Sequence, residues 1–330
     1  MRKVLFGVPR FSAELSWTDL AAELPGWDIS VSPRGRVSDY LDGVDVVCPW
    51  GSPVDAATLE AGTFGLVQQF GVGLEKVDVA AATELGVYVA RIPGDAGGNA
   101  DSVAEIAVLH MLVLGRRLGE LTVALRERRW ESRPLGNSLL GQTVLIVGLG
   151  AIGDALAARL SGFGVRLTGV RAHPGRGGPP GVGEVAGPAG LPRLLGQADV
   201  VVCCAMLDEG TAGMFGADEF AAMKPGALFV NVARGGLVDE TALLAALEAG
   251  QVGGAGLDVH AKEPADPQSP LLRHPRVFAT PHAGGLTRAM FTRSGRVFAQ
   301  NLERWAAGEA PRWAVNAPAF HRGRLTGRAG

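Results

Sequence analysis

One glycine-rich segment constrains the fold of this chain more than any other feature of its sequence. The apolar run Val144–Val147 leads directly into Gly148-Leu-Gly150-Ala-Ile-Gly153, and a helical pattern then continues to about Phe163. This spacing between a buried strand and a helix is typical of dinucleotide-binding domains, because glycine allows a tight turn and lets the backbone approach a pyrophosphate. The amides of Ala151 and Ile152 would face that pyrophosphate from the helix N-terminus. A glycine turn without a nucleotide is the alternative, which this context disfavours.

The rest of the chain alternates short apolar runs with helical patterns, which predicts parallel sheets covered by helices. The strands predicted in the first part are Val4–Val8, Asp28–Val31, Val44–Cys48, Leu66–Phe70 and Val87–Ala90. The strands predicted in the second part are Val144–Val147, Val165–Val170, Val200–Cys204, Ala227–Val232, Gly254–Val259 and Val277–Thr280. We therefore expect an α/β protein with two Rossmann-like, doubly wound parallel-sheet domains.

Two long helices and one loop are also predicted. Ser102-Val-Ala-Glu105 has the form of a capping box, which predicts a helix that begins at Ser102 and continues to about Leu125. A second long helix is predicted over residues 287–307. The Gly/Pro-rich segment 174–190 is predicted to be a loop.

Composition narrows the classes of function. Among the 330 residues, Lys and Arg number 31 against 33 Asp and Glu, so no basic excess favours nucleic-acid binding. Cys48, Cys203 and Cys204 lack metal or disulfide spacing, so we expect reduced thiols, no metal site and a cytoplasmic protein. The N-terminal apolar run is short for a signal peptide, and Val103–Gly115 is short for a membrane span, so neither secretion nor membrane insertion is expected.

Position 171 bears on which dinucleotide is bound. The second strand of the nucleotide domain ends at Val170, and an Asp or Glu normally follows it to accept hydrogen bonds from the NAD ribose. This chain has Arg171 there, and its guanidinium can pair with the 2′-phosphate of NADP for about 1–4 kcal/mol. We predict NADP as the favoured cofactor and NAD as the alternative. Arg171 could instead lie against the adenine without discriminating between the two.

Several segments, in this order, resemble the D-isomer-specific 2-hydroxyacid dehydrogenase family over nearly the whole chain. They are Phe70–Asp78, Asn99–Glu105, the glycine turn, Met223–Asp239 with its Ala-Arg-Gly-Gly-Leu-Val-Asp block, Gly256–Val259, Glu263-Pro264 and Thr280–Gly285. The resemblance implies a homodimeric, NAD(P)-dependent reductase of small 2-keto acids, such as glyoxylate or hydroxypyruvate. It also implies that a cofactor domain, residues 103–286, is inserted in a substrate-binding domain made of residues 1–102 and 287–330.

The resemblance further implies a catalytic trio of Arg234, Glu263 and His282. Reduction of a 2-keto acid requires a proton at the carbonyl oxygen, and an imidazole suits this role because histidine titrates near neutral pH. A carboxylate at Glu263 would favour the imidazolium form of His282. Arg234 would hold the substrate carboxylate and polarise the carbonyl. The alternatives are a structural histidine, a helix-terminal charge at Glu263 and a surface ion pair at Arg234.

Other site residues are implied by the same resemblance. The backbone amides of Val72, Gly73 and Leu74 are expected to bind the substrate carboxylate, and Trp50 is expected either to wall the pocket or to pack ordinarily. Besides the glycine turn, the residues expected to contact the cofactor are Ser102, Arg171, His173, Cys204, Thr211, Val232, Ala233, Asp258, Gly284 and Gly285. Cys203-Cys204-Ala205-Met206 lacks the proline usual in the family, and His110 is expected to be a packed side chain.

Two other functions stay open. A dinucleotide-sensing protein resembling the family's transcriptional co-repressors would bind the cofactor, although binding alone needs no catalytic trio. An enzyme acting on phosphoglycerate is the second alternative. It is disfavoured because no extra basic cluster lies near Gly71–Gly73 and no regulatory domain is seen after Trp313.

Overall fold

The computed structural model describes residues 1–8, 20, 22–130, 133 and 135–322, and the chain divides into two compact units. One unit comprises Met1–Asn99 and Thr287–Gly330, and the other comprises Ala100–Leu286. We call them the discontinuous and the continuous unit. Each is built on one parallel sheet covered by helices, as the alternating sequence pattern predicts.

The sheet of the discontinuous unit has five strands in the order β2-β1-β3-β4-β5. They are β1 (Arg2–Phe6), β2 (Trp27–Val31), β3 (Val46–Cys48), β4 (Leu66–Gln68) and β5 (Tyr88–Ala90). The short central strands β3 and β4 are fully buried, because apolar side chains cover both faces of the sheet. All five predicted strands are therefore present.

The sheet of the continuous unit has seven parallel strands in the order β12-β11-β10-β9-β6-β7-β8. They are β6 (Thr143–Val147), β7 (Arg166–Val170), β8 (Val182–Ala186), β9 (Val200–Cys203), β10 (Ala227–Asn231), β11 (Val252–Leu257) and β12 (Val277–Ala279). The chain winds from β6 outward to β8 and then returns to β9 on the other side of β6. Ligands in such sheets bind at the carboxyl ends of the strands, where this reversal opens a crevice.

Eleven helices are described in the ranges given above. In chain order they are α1 (Ala56–Ala61), α2 (Val79–Glu84), α3 (Gly94–Gly97), α4 (Asn99–Gly115), α5 (Leu118–Arg126), α6 (Ala151–Leu160), α7 (Leu191–Leu195), α8 (Ala217–Ala222), α9 (Glu240–Glu248), α10 (Pro270–Arg273) and α11 (Arg288–Ala306). Helix α11 is the predicted terminal helix, and Thr287 caps it by accepting a hydrogen bond from the Met290 amide at 3.2 Å.

The prediction for the helix around Ser102 is wrong at both ends. Helix α4 begins at Asn99, directly after Gly98 (φ 74°), so Ser102 lies inside the helix and is buried instead of capping it. The helix also ends at Gly115. Arg117 adopts φ 52°, a left-handed conformation that breaks helical hydrogen bonding, and α5 starts after it.

The prediction of a loop over 174–190 is also wrong. This segment contains β8, which pairs with β7 at the edge of the sheet. Its Gly183 and Glu184 are exposed, so the strand lacks the continuous apolar run that marks the central strands. The prolines and most of the glycines occupy the turns on either side of β8. Because they dominate the composition of the segment, the sequence pattern does not indicate the five-residue edge strand between them.

Apolar side chains fill both faces of the seven-stranded sheet. On one face, Phe215, Phe220 and Phe229 are almost fully buried, and their ring centroids lie 4.9–6.2 Å apart. On the other face, α4 and α6 cover the sheet with side chains such as Met111 and Leu156. No helix in the described ranges is long and apolar enough to cross a membrane.

Candidate active site

The three predicted catalytic residues follow three neighbouring strands of the continuous unit. Arg234 comes after β10, Glu263 after β11 and His282 after β12. Since the strands are parallel, their carboxyl ends lie at one edge of the sheet, and the loops that follow them meet there. The topology thereby gathers residues that are distant in sequence.

His282 and Glu263 form a direct pair. His282 Nδ1 lies 2.9 Å from Glu263 Oε2, and Glu263 Oε1 accepts a hydrogen bond from the His260 amide at 3.1 Å. The carboxylate therefore fixes the orientation of the imidazole, as in acid–base sites where a third group orients a histidine. Nδ1 faces Glu263, so Nε2, on the opposite edge of a ring that is 44% exposed, is the atom suited to exchange a proton with a substrate.

The loop that carries His282 is held by Asp258. This residue is 1% exposed, and its Oδ1 accepts hydrogen bonds from the Thr280 hydroxyl at 2.6 Å and the Ala283 amide at 2.9 Å. Its Oδ2 accepts from the Gly284 amide at 2.8 Å, and its carbonyl accepts from the His282 amide at 2.7 Å. These contacts support His282 in a left-handed conformation, φ 54°, which side chains other than glycine rarely adopt. Thr280 was not among the predicted site residues, although it stands in the Thr-Pro-His block.

Arg234 is positioned by the buried side chain of Asn231, the last residue of β10. Asn231 Nδ2 donates to the Arg234 carbonyl at 3.0 Å, and Asn231 Oδ1 accepts from the Ala233 amide at 3.1 Å. Gly235 packs directly on the backbone of His260, and a Cβ at Gly235 would lie 1.9 Å from the His260 carbonyl carbon. Arg234 is thus held beside the segment that leads to Glu263. Asn231 was not among the predicted site residues, and in the sequence only its place at the end of β10 indicates its role.

The glycine turn has the geometry needed for a dinucleotide. Gly148 has φ 104°, and a Cβ there would lie 2.5 Å from the Ala205 nitrogen, so only glycine fits. Gly153 contacts the turn so closely that a Cβ would lie 2.2 Å from the Gly148 carbonyl oxygen. Gly150 precedes α6, and apart from Gly150 and its two neighbours in the chain, no atom in the described ranges lies within 4 Å of its Cβ position. An open approach to the first amides of a ten-residue helix fits a pyrophosphate group.

The other residues predicted to contact the cofactor lie around the same sheet edge in different surroundings. Arg171 directly follows β7, and its Nη1 donates to the Gly177 carbonyl at 2.7 Å. His173 is exposed in the next turn. The Thr211 hydroxyl bonds to its own turn, donating to the Met206 carbonyl at 2.7 Å. Burial is the main effect that raises the pKa of the Cys204 thiol well above its ordinary value, and the charge of neighbouring Cys203 raises it further. The thiol therefore stays protonated.

Further predicted cofactor contacts are buried or lie close to Asp258. Val232 and Ala233, at the end of β10, are 3% and 4% exposed. A Cβ on Gly284 would lie 2.7 Å from Asp258 Oδ2, so a side chain there would separate the loop from the carboxylate. Gly285 follows it in the same loop. The assignment of these residues to cofactor binding stays a prediction.

The predicted substrate loop lies in the discontinuous unit and is organised by Gln69. Gln69 Nε2 donates to the Gly73 carbonyl at 2.8 Å and to the Trp50 carbonyl at 3.2 Å, while Oε1 accepts from the Trp50 amide at 3.2 Å. Trp50 has φ 56°, and its ring stacks on Phe291 with centroids 5.8 Å apart. The role of Val72–Leu74 as substrate ligands stays a prediction. Gln69 was not among the predicted site residues, because its role depends on contacts between two loops.

Opposing effects set the ionisation of Glu263. Partial burial raises the pKa of its carboxyl, but the hydrogen bond and charge of His282 and the His260 amide lower it more, so the pKa lies below its ordinary value. The carboxylate form is therefore favoured in the folded protein. This form is the one that accepts a hydrogen bond from an imidazole.

We predict a pH-dependent stability difference between the wild type and Glu263→Gln. The lowered pKa stabilises the folded protein fully above the ordinary value of 4.5, and this contribution disappears as pH falls through the folded value. Melting temperatures measured between about pH 6 and pH 3 should show the wild type losing stability relative to Glu263→Gln. Glu248→Gln, on the exposed end of α9, is the control. An identical loss relative to both variants would contradict the prediction.

Comparisons with known proteins agree with this geometry. The chain is similar to a D-3-phosphoglycerate dehydrogenase of Archaeoglobus fulgidus, 34% identical over 269 residues, with 81% of this chain and 50% of the relative covered. A glyoxylate reductase of Thermococcus litoralis is 33% identical over 307 residues, with 89% and 90% covered. The chain thus spans about half the length of the phosphoglycerate dehydrogenases that it matches.

A solved structure and a family model extend the comparison. The NAD-dependent formate dehydrogenase from Staphylococcus aureus in complex with NAD has a TM-score of 0.83 at 25% identity, covering 96% of this chain and 100% of that chain. The model of the D-isomer specific 2-hydroxyacid dehydrogenase NAD-binding domain matches residues 108–284, more than half of the chain. The match contains the glycine turn, Arg234, Glu263 and His282. The chain therefore belongs to the D-isomer specific 2-hydroxyacid dehydrogenase family.

Proposed function

We propose that the protein is an NAD(P)-dependent 2-hydroxyacid dehydrogenase that acts mainly as a reductase of small 2-keto acids. The observation that carries the proposal is the 2.9 Å contact between His282 and Glu263 on an NAD-binding domain, with Arg234 after the neighbouring strand. A protein that only senses a dinucleotide has no use for this acid–base pair. The pair therefore favours catalysis over sensing.

Each residue of the trio has a defined task in the proposed reaction. The glycine turn of Gly148, Gly150 and Gly153 would hold a reduced nicotinamide cofactor, which would supply a hydride to the carbonyl carbon of the 2-keto acid. His282 donates a proton from Nε2 to the carbonyl oxygen, and Glu263 stabilises the imidazolium that provides it. Arg234 pairs with the substrate carboxylate and stabilises the negative charge that develops on the carbonyl oxygen. In the opposite direction, neutral His282 accepts the proton of the hydroxyl group.

The proposed substrates are small 2-keto acids such as glyoxylate and hydroxypyruvate. The glyoxylate reductase of T. litoralis supports this choice because the match covers 90% of its length. The phosphoglycerate dehydrogenase of A. fulgidus supports the alternative of a phosphorylated substrate. Initial rates distinguish a small 2-keto acid from a phosphorylated substrate. They would be measured with glyoxylate, hydroxypyruvate, pyruvate, a branched 2-keto acid and phosphohydroxypyruvate. Cofactor binding without turnover of any of them would favour the co-repressor-like alternative.

We expect His282→Ala to lower kcat by about 10²–10⁴-fold, because it removes the general acid. Cofactor affinity, measured by quenching of protein fluorescence, should change little. His274→Ala, which removes an imidazole from the loop before β12, is the matched control and should retain wild-type turnover. Full activity in His282→Ala would exclude the proposed role of this residue.

We further propose that NADP(H) is preferred over NAD(H), supported by Arg171 at the carboxyl end of β7. Its guanidinium would give up the hydrogen bond to the Gly177 carbonyl and pair with the 2′-phosphate.

Arg171→Ala should then weaken NADPH binding about tenfold, equivalent to about 1.4 kcal/mol, and leave NADH binding unchanged. Calorimetric titration of both cofactors measures this, with Arg166→Ala at the start of β7 as the control. Tighter binding of NADH by the wild type would contradict the proposal.

We also propose a homodimer formed through the continuous unit, in a cytoplasmic protein whose three cysteines are free thiols. Exposed apolar side chains support the dimer, since they concentrate in one segment: Leu109, Leu118, Val123, Leu125, Trp130, Leu135 and Leu140.

Light scattering should give twice the 34.2 kDa chain mass. Leu125→Glu should yield monomers, while Val31→Glu, an exposed apolar position of the discontinuous unit, should not. A monomeric wild type would contradict the proposal.

A further inference from the structure

A buried histidine lies beneath the loop that carries His282. His110, on α4, is 0% exposed, and its ring packs edge-to-face on Phe278 with centroids 5.2 Å apart. Its Nε2 lies 3.1 Å from the hydroxyl oxygen of Thr280. The ring fits because the facing strand residue is Gly256, where a Cβ would lie 2.6 Å from His110 Nδ1. A glycine in the strand thus provides the space that the imidazole fills.

The direction of the hydrogen bonds can be deduced from the number of protons. Thr280 has one hydroxyl proton, and the 2.6 Å contact with Asp258 Oδ1 uses it, because a carboxylate oxygen can only accept. The Thr280 oxygen therefore accepts on the side of His110, so His110 must carry its proton on Nε2. Nδ1 is then unprotonated, and it has no hydrogen-bond partner within the described part of the chain.

The electrostatics of the site agree with this tautomer. Burial lowers the pKa of His110 to about 4, although the charge of Asp258 acts in the opposite direction. His110 is therefore neutral at physiological pH and keeps one ring proton. That proton points along the only direction in which the described structure offers it an acceptor, the Thr280 hydroxyl.

We propose that His110 is a positioning residue for His282, acting through the series His110, Thr280 and Asp258. His110 orients the Thr280 hydroxyl toward Asp258, and the Asp258 carboxylate binds the amides of Ala283 and Gly284. The series thereby fixes both ends of the short segment that contains His282. The proposal rests on the proposed function, since it assigns a supporting role to a residue outside the catalytic trio.

A purely space-filling role for His110 would have a different signature. A space-filling ring is replaceable by an apolar side chain of similar volume, whereas a donor is replaceable only by another donor that reaches the same atom. Glutamine places an amide N–H about where His110 Nε2 lies, and leucine does not. The two substitutions therefore separate packing from hydrogen bonding.

Hydrogen exchange and steady-state kinetics test the proposal together. In His110→Leu we expect the amides of Ala283 and Gly284 to exchange about tenfold faster and kcat to fall about tenfold, with little change in KM. His110→Gln should restore both properties toward the wild type. Met111→Leu, the adjacent buried position of α4, is the control and should change neither. Wild-type exchange at Ala283 and Gly284 in folded His110→Leu would overturn the proposal.

A second variant keeps the test decisive if His110→Leu does not fold. Thr280→Val keeps the side-chain shape and removes the hydroxyl that joins His110 to Asp258. It should reproduce the faster exchange of the Ala283 and Gly284 amides that is expected when His110 is replaced by leucine. Unchanged exchange of both amides in Thr280→Val would contradict the proposal. The exchange measurement needs no substrate, so a wild type inactive on every 2-keto acid would refute the proposed function separately.

Discussion

The carboxylate of Asp258 is the group on which the rest of the candidate site depends. A carboxylate that is 1% exposed must be surrounded by donors, because an isolated buried charge is strongly destabilising. The donors here are the Thr280 hydroxyl and the amides of Ala283 and Gly284, which belong to the loop that carries His282. The requirement to satisfy one buried charge therefore determines the path of a loop, and the loop determines where the imidazole stands.

The parallel sheet supplies the second constraint. Strands β10, β11 and β12 are neighbours and run in the same direction, so their three following loops meet at one edge. Arg234, Glu263 and His282 come from these loops and need no further folding of the chain to approach one another. The glycine turn after β6 lies at the same edge, where the strand order reverses. The glycine turn and the three predicted catalytic residues thus share a location that follows from the topology of the sheet.

Much of this fold was predictable from the sequence, because Val-rich runs separated by helical patterns mark buried parallel strands. Strand β8 was not predictable in this way, since an exposed edge strand lacks the continuous apolar run of a buried strand. The start of α4 was missed because the apparent capping box at Ser102 lies inside the helix, which begins after Gly98. Among the candidate site residues, the motif resemblance selected Glu263 and His282, which the structure places 2.9 Å apart.

The supporting residues could not be predicted in the same way. Asn231, Gln69, Thr280 and His110 act through contacts with segments distant in sequence or through backbone groups, and no local pattern specifies such contacts. His110 was interpreted as a packed side chain, and its burial agrees with that interpretation. Its hydrogen bond to Thr280, 170 positions away in the sequence, is visible only in the folded chain.

The most direct test of the account is to follow the hydride itself. Reduced nicotinamide cofactor carrying deuterium at C4, in each of its two stereochemical forms, would be oxidised by the enzyme with glyoxylate or another active 2-keto acid. One form should transfer its deuterium to C2 of the 2-hydroxy acid, as measured by mass spectrometry, and chiral products should have the D configuration. Absence of deuterium at C2 with both forms would contradict direct hydride transfer to the keto carbon.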